Sequence, residues 1–287
     1  MSATAHLLPD ARLHLNHGPI DCLCQAWGEP AEVTRAYHQA ASAFPAILPT
    51  LLAERPHLAT PLPSPEPQGT IARAMHRACA PFAATAITPM AAVAGAVADH
   101  LLAAMTAGRR LDRACINNGG DIAYHLAPGQ TLRAGLVTDL AAPALDAISI
   151  LHAHHPWRGL ATSGRACKGQ GGRSFSFGIA DSVTVLARTA AQADAAATRI
   201  CNATDLPGHP AIIRRPASDI DPDTDLHDRL ITWDLLPLPR HDIIAALDAG
   251  RRVADALVQA CLIGGAVLAL RGHFAASGPP FAQLEAR

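Results

Sequence analysis

Hydrophobic and polar positions alternate from Arg12 to Asn16, His17-Gly18 breaks the run, and a mostly apolar stretch returns from Ile20 to Trp27. Alternation on either side of a glycine turn predicts a β-hairpin. Pro30-Ala31-Glu32 predicts a helix start, because proline and an acidic residue both suit a first turn. That helix runs to about Phe44, where Pro45 and Pro49 disturb it. Five prolines between Pro56 and Pro67 predict a loop or linker. Thr70 to about Cys79 and Pro89 to about Ala107 read as helices, the second ended by Gly108. Its small residues from Ala91 to Ala98 permit close approach of another element, so it is expected to be central and buried.

The pattern changes at Leu111. Short strand-like runs stand at Ala114 to Asn117, Leu132 to Thr138, Ala147 to Leu151 and Ser182 to Ala187, with glycine-rich turns between them. A helix is expected from about Ala190 to Cys201, then strands near Ile212 and at Leu230 to Leu235. A long helix from Pro239 to about Cys261 and a last strand from Gly265 to Arg271 complete the chain. Helices and strands alternate without a regular βαβ beat, which favours an α+β sandwich of sheets and helices over a doubly wound parallel sheet. No repeat divides the sequence, so one domain over residues 1–287 is expected, with a flexible loop at 56–69 as the sole linker candidate.

Composition narrows the partners. The chain has 287 residues, 49% hydrophobic and 16% charged, with 23 basic against 24 acidic residues. Near neutrality leaves no global field for nucleic acid or anionic membranes. The apolar stretch from Ile87 to Met105 is diluted by alanine and interrupted by Pro89 and Asp99, so no membrane span is expected. An opening without a charged-then-apolar leader, and seven scattered cysteines, predict reduced thiols and a cytoplasmic protein. Cys22 and Cys24 would share one face of a strand, but no second pair stands at zinc-ribbon spacing. Lys168 is the only lysine, and aromatic residues are 4% of the chain.

Four segments concentrate glycine, small hydroxyls and aspartate. In Asn118-Gly119-Gly120-Asp121, paired glycines let backbone approach a ligand and expose N–H groups, while Asn118 and Asp121 could orient a polar ring or ribose. An ordinary hairpin turn is the alternative. Thr162-Ser163-Gly164-Arg165 could hold phosphate through N–H, hydroxyl and guanidinium groups. It lacks Gly-x-Ser-x-Gly spacing, and no His or Asp partner is designated for a nucleophile. Asp194 and Thr198 are one helical turn apart and offer two hard oxygens suited to Mg²⁺. A helix-start aspartate beside a packed threonine would look the same. Asp219, Asp221, Asp223 and Asp225 suggest a calcium loop, but the loop glycine and the closing glutamate are absent, so an EF-hand is excluded. His152, His154 and His155 read as a strand exit.

Taken in order, Asn118-Gly119-Gly120-Asp121-Ile122, Ala161-Thr162-Ser163-Gly164, Ser182-Val183-Thr184-Val185 and Ala193-Asp194-Ala195-Ala196-Ala197-Thr198 resemble the ApbE superfamily of flavin transferases. A nearer likeness is to an uncharacterised ApbE-like branch of bacterial and archaeal proteins. It rests on Ser174-Phe175-Ser176-Phe177-Gly178-Ile179-Ala180-Asp181-Ser182-Val183 and Asp221-Pro222-Asp223-Thr224-Asp225-Leu226, and it covers nearly the whole chain. The resemblance implies an ApbE-like fold and a protein that takes FAD, uses Mg²⁺ and transfers FMN to a threonine hydroxyl of an acceptor protein. It implies metal ligation by Asp194 and Thr198, and a flavin-nucleotide site lined by Asn118, Gly119, Gly120, Asp121, Thr162, Ser163, Gly164 and Arg165.

The departures are specific. The superfamily's His-x-x-Asp-Pro-x-Thr-Gly segment is replaced by Cys167-Lys168-Gly169-Gln170-Gly171-Gly172-Arg173-Ser174-Phe175-Ser176-Phe177-Gly178. Asp181 is the carboxylate left nearby for a catalytic role. Ligand binding therefore carries over better than transfer does. The expectation is a small-molecule nucleotide ligand, FAD or FMN, with Mg²⁺, an acceptor protein if transfer occurs, and a homodimer. A non-catalytic module, or an enzyme for another heterocyclic metabolite, is the alternative.

Overall fold

The computed structural model describes residues 2–136, 147–164, 175–279 and 285–286. It is an α+β protein that separates into two compact units. The first comprises Met1–Arg133, Ile150–Ala161 and Ala187–Ala195; the second comprises Ala134–Ser149, Thr162–Leu186 and Ala196–Arg287. The one-domain expectation thus meets two units whose segments interleave along the chain.

In the first unit the expected hairpin forms between β2 (Leu13–His17) and β3 (Ile20–Gly28), with His17 opposite Ile20 and Gly18 at φ +59°. Before them runs β1 (Thr4–Leu7), an exposed edge strand that pairs with β2 and was not legible in the pattern. Helix α1 (Pro30–Ala43) follows, with Glu29 accepting the Glu32 N–H as its cap. Two short helices, α2 (Ile47–Ala53) and α3 (Arg55–Leu58), lead into the proline-rich stretch. That stretch is tied down rather than loose. Leu58 and Leu62 are buried, the Leu62 N–H donates to the Ile87 carbonyl, and the Glu54 carboxylate accepts the N–H groups of Gln68 and Gly69.

Helix α4 (Thr70–Cys79) matches its expected span. The next expected helix begins with a 3-10 turn, Pro89–Ala92, and becomes α-helical as α5 (Val93–Thr106), because Ala92 departs from helical geometry. As expected, α5 is internal: Ala96, Val97, Ala98, Leu101 and Met105 are buried, and the helix packs on β4 (Leu111–Asn118) and β5 (Asp121–Leu126). Pro89–Thr106 is long and apolar enough to cross a membrane by length and composition alone, but Ala96, Val97, Ala98, Leu101 and Met105 of it are spent on this core. Cys22 and Cys24 do share a buried strand face.

Strands β6 (Thr131–Leu136), β7 (Ala147–His152) and β8 (Gly159–Ser163) follow, each divided between the units along the chain. The start of β8 pairs with β5, Leu160 opposite Ile122, and closes the first unit's antiparallel array β1-β2-β3-β4-β5-β8. Neither β5 nor β8 is expected from the pattern: Asp121 opens β5 and Thr162-Ser163 end β8, and both stand in segments that read as binding loops.

The second unit centres on β9 (Ser182–Ala187), which is buried on both faces. Helix α6 (Ala190–Ala203) starts in the first unit and ends in the second. Strands β10 (Ile212–Pro216) and β11 (Leu230–Leu235) pair as a ribbon, and helix α7 (Arg240–Gln259) packs on β12 (Gly265–Leu270). The chain then turns at Arg271-Gly272, both at positive φ, into β13 (His273–Ser277), so Gly265–Leu270 is not the last strand. The β12 strand lies between β9 and β13, antiparallel to both. A final short β14 (Glu285–Ala286) pairs with β7. Asn202 accepts the Phe177 N–H and the Ser176 hydroxyl, and the Ile179 N–H donates to the Thr204 carbonyl. These bonds seat the Ser176–Ile179 segment against the end of α6.

Candidate functional site

The turn between β4 and β5 is shaped by its own side chain: the Asn117 carbonyl oxygen accepts the Gly120 N–H at 2.8 Å. Gly119 and Gly120 adopt φ +66° and +107°, which other residues rarely adopt, and a Cβ on either would meet nothing within 4 Å. This backbone is open to an approaching group. The flanking residues face inward instead. Asn118 and Asp121 are 7% and 8% exposed, and the Asn118 amide donates to the Ala94 carbonyl at 3.0 Å. The segment therefore divides into an open pair of glycines and two flanking side chains turned into the unit.

Asp194 reaches the same backbone. Its carboxylate accepts the Gly95 N–H at 3.1 Å and also the N–H of Ala94. Helix α5 has no side-chain cap of its own at Ala92, so Asp194 supplies from α6 the acceptor that the local sequence lacks. The relation is reciprocal. Asp99, on α5, accepts the N–H groups of Ala190 and Ala191, both at 2.9 Å, at the start of α6. Between the two caps the helices approach so closely that a Cβ on Gly95 would lie 2.3 Å from the Ala190 carbonyl oxygen. Burial raises the pKa of both aspartates, and it outweighs the backbone N–H groups that favour their ionised forms.

These residues fit a magnesium ion in one respect that can be read directly. Thr198 is half-buried, one turn beyond Asp194 on α6, and its hydroxyl has no hydrogen-bond partner among the described residues. Asp194 is also half-buried, and a carboxylate can accept more bonds than two N–H groups supply. A carboxylate and a free hydroxyl are hard donors, and Mg²⁺ commonly takes one or two such ligands while keeping waters and substrate phosphate oxygens. Among the described residues no group of three or more His, Cys, Asp or Glu side chains could hold a metal by itself.

In the second unit Thr162 lies in β8, and its hydroxyl meets the Thr184 hydroxyl at 2.9 Å. Ser163 hydrogen-bonds the buried Cys201 thiol, whose pKa burial pushes up to about 11. Gly164 is required by close packing, since a Cβ there would lie 2.4 Å from the Asp181 carbonyl oxygen. Thr162, Ser163 and Gly164 are thus a strand end seated beside the start of β9. Arg165 and Lys168 lie outside the described residues. The Asp181 N–H donates to the Ala269 carbonyl, and its half-buried carboxylate accepts the Arg271 N–H at the β12–β13 turn.

Other sequence candidates fall elsewhere. Tyr124, beside the β4–β5 turn, is 1% exposed and buried within the first unit. Trp157 carries the Arg188 guanidinium 5.5 Å from its ring centre. His152, His154 and His155 stack on one another with ring centres 4.2 to 5.6 Å apart. In the acidic segment the Ser218 hydroxyl donates to Asp228 and the Asp223 N–H to Asp221, bonds that fold the run into a turn before β11. Two residues that organise the first unit were missed, Gly95 and Asp99. Each left a signal: a glycine inside an alanine-rich helix costs about 1 kcal/mol against alanine and needs a packing reason, and Asp99 is the one acid in a mostly apolar helix.

A family model described as AbpE bacteria matches residues 5–276. Among curated proteins, the UPF0280 protein of Methanoregula boonei is 36% identical over 160 residues, 54% of this chain and 63% of that protein. The UPF0280 protein of Methanopyrus kandleri is 35% identical over 145 residues, 50% and 54% of the respective chains. The chain thus spans less than two thirds of the length of these relatives. Among solved structures, the apo form of the Pseudomonas stutzeri flavinyl transferase ApbE aligns at 12% identity over 98% of this chain and 96% of that one, with a TM-score of 0.48. The flavin transferase ApbE of Vibrio cholerae aligns at 12% identity over 97% and 99%, with a TM-score of 0.42.

Proposed function

The chain belongs to the AbpE bacteria family, and from that premise we propose that it binds a flavin nucleotide, FAD or FMN, or a related dinucleotide, together with Mg²⁺. One observation carries the reading. Two of the family-like segments, Asn118–Asp121 and Ala193–Thr198, converge through Asn118 and Asp194 on the single peptide group joining Ala94 and Gly95. Segments this far apart in sequence, addressing one peptide, are not explained by a turn and a helix start formed independently.

In the first unit the ligand-facing groups are the open backbone of Gly119 and Gly120. In the second they are Thr162, Ser163 and Gly164, continued in sequence by Arg165, with Asp181 as the carboxylate assigned a catalytic role. Asp194 and Thr198, on α6, hold the cation. A bound Mg²⁺ would neutralise charge on a phosphate under attack, the main electrostatic demand of phosphoryl transfer. With FAD the proposed reaction is FMN-transferase-like or pyrophosphate-cleaving: the oxygen of a partner protein's hydroxyl, or of water, bonds to the FMN phosphorus as the pyrophosphate P–O bond breaks, AMP leaves, and the proton passes to Asp181 or solvent.

A second reading has its own support: the Asp181 carboxylate is engaged by the Arg271 N–H, and the His-x-x-Asp-Pro-x-Thr-Gly segment is absent. These favour a binding module that retains the ligand without the reaction. Thermal shift with FAD and FMN, each with and without Mg²⁺, followed by product analysis of incubated FAD, separates the two. Both readings predict a stabilising shift with flavin; only the first predicts Mg²⁺-dependent conversion of FAD, abolished in Asp194→Ala. A wild type that is not shifted by either flavin overturns both.

A further inference from the structure

We propose that Asn118 is a positioning residue for the cation rather than a contact to the nucleotide, acting on Asp194 through the Ala94–Gly95 peptide group. The inference rests on the Mg²⁺ reading above and extends it to a residue whose motif otherwise points to the ligand.

The geometry is a chain of three bonded groups. The Asn118 amide, 7% exposed, donates to the Ala94 carbonyl at 3.0 Å. That carbonyl belongs to the same planar peptide as the Gly95 N–H, which donates to the Asp194 carboxylate at 3.1 Å. A planar peptide held at its oxygen cannot rotate its N–H independently, so Asn118 fixes the direction from which the carboxylate is held. The far side of the same backbone is hemmed in too, because a Cβ on Gly95 would run into the Ala190 carbonyl and the Ala191 nitrogen. Asp99 holds those N-terminal residues of α6. Asp194 is therefore pre-oriented from two directions, by Asn118 through α5 and by Asp99 through the start of its own helix.

Ligand carboxylates in metal sites are commonly oriented by such partners, whose loss lowers metal affinity by about 10- to 100-fold. The helix N-terminus carries no weight as a site in its own right here. What matters is that a buried amide from another element holds the peptide that orients the candidate ligand.

The discriminating quantity is the Mg²⁺ increment, the ratio of the FAD dissociation constants in EDTA and in saturating Mg²⁺. It is measured on the full chain by flavin fluorescence titration, with thermal midpoints taken in parallel. Asn118→Leu keeps approximate volume and removes the donor. The increment is expected to fall about tenfold or more, while FAD affinity in EDTA stays at the wild-type value. Asn118→Ser, whose smaller polar side chain leaves room for a water to reach the Ala94 carbonyl, guards against a folding failure and should lose less of the increment, in the same direction. Equal weakening in both arms would make Asn118 a nucleotide contact, and an unchanged increment would leave it without a role at the cation. Either result overturns the inference while the Asp194 reading stands. An increment that survives in Asp194→Ala, or is absent from the wild type, removes the Mg²⁺ reading itself and the inference with it.

Discussion

Gly95 has no room for a side chain. A methyl group there would sit 2.3 Å from the Ala190 carbonyl oxygen and 2.7 Å from the Ala191 nitrogen, both backbone atoms that cannot turn aside. Gly95→Ala raises intrinsic helix propensity yet is expected to destabilise by about 3 kcal/mol, as overpacking against fixed atoms does; urea denaturation reads the sign directly. Asp99→Ala removes the acceptor of two N–H groups and should cost about 1–2 kcal/mol. The same carboxylate gives a pH signature. Burial raises its pKa above the unfolded value, so the folded state binds the extra proton in the window above the ordinary carboxylate pKa of about 4. Stability contributed by that group is therefore full at the acid end and falls as pH rises through the raised value. Asp99→Asn cannot ionise, and its stability deficit against the wild type should shrink with rising pH across that window. A deficit that grows would contradict the assignment. Cysteine chemistry belongs to this scale as well. Burial raises the thiols of Cys22, Cys24, Cys79 and Cys201, to about 12 for Cys24, whereas Cys261 is exposed. Labelling the folded protein with a thiol reagent should lose one fast-reacting equivalent in Cys261→Ser and none in Cys24→Ser.

At the scale of elements, the sequence was most legible where periodicity and punctuation agreed. Proline and an acid at Pro30 and Glu32 opened α1, Thr70–Cys79 formed as α4, and Ser182–Ala187 and Leu230–Leu235 became β9 and β11 with the expected bounds. It was least legible where glycine and hydroxyl residues served a strand. Thr162–Arg165 reads as a phosphate site from its small residues, hydroxyls and guanidinium, yet Gly164 is small because Asp181 backbone lies against it, as Thr189 backbone does against Gly159 at the start of the same strand. The β1 and β13 edge strands have no strong apolar alternation, and a sheet edge demands none. The reciprocal caps could not be read at all, since they join α5 to α6 across a long sequence separation. The β10–β11 ribbon depends on another such link. Arg214 Nη2 donates to the Asp205 carboxylate, 2.7 Å from each oxygen, while its Nη1 donates to the Phe177 carbonyl at 2.6 Å. Lysine offers a point charge in place of that planar fork. Arg214→Lys should cost about 1–3 kcal/mol and hasten proteolysis within β10–β11; unchanged cleavage would show that the ribbon is held otherwise.

For the whole molecule, the family follows from a match over residues 5–276, and the site reading follows from how few groups the chain devotes to it. Near neutrality and a single lysine mean that, under the proposed function, charge on a nucleotide is met locally, by backbone N–H groups, Arg165 and the proposed cation. Of the site residues named from sequence, Asn118 and Asp194 are joined through one peptide, Gly119 and Gly120 are open, and Gly164 packs on Asp181. What sequence could not convey is that Asp194 also caps a helix, so that under the proposed function one carboxylate serves both folding and the cation. This dual use makes Asp194→Asn more informative than Asp194→Ala for binding, since it preserves shape while removing the charge. The most direct test of the account is an equilibrium titration of the purified wild type with FAD, in Mg²⁺ and in EDTA, beside Asp194→Asn. Saturable binding that Mg²⁺ tightens in the wild type and not in Asp194→Asn is the predicted result. No FAD binding in either condition, or the same Mg²⁺ effect in both proteins, would contradict it.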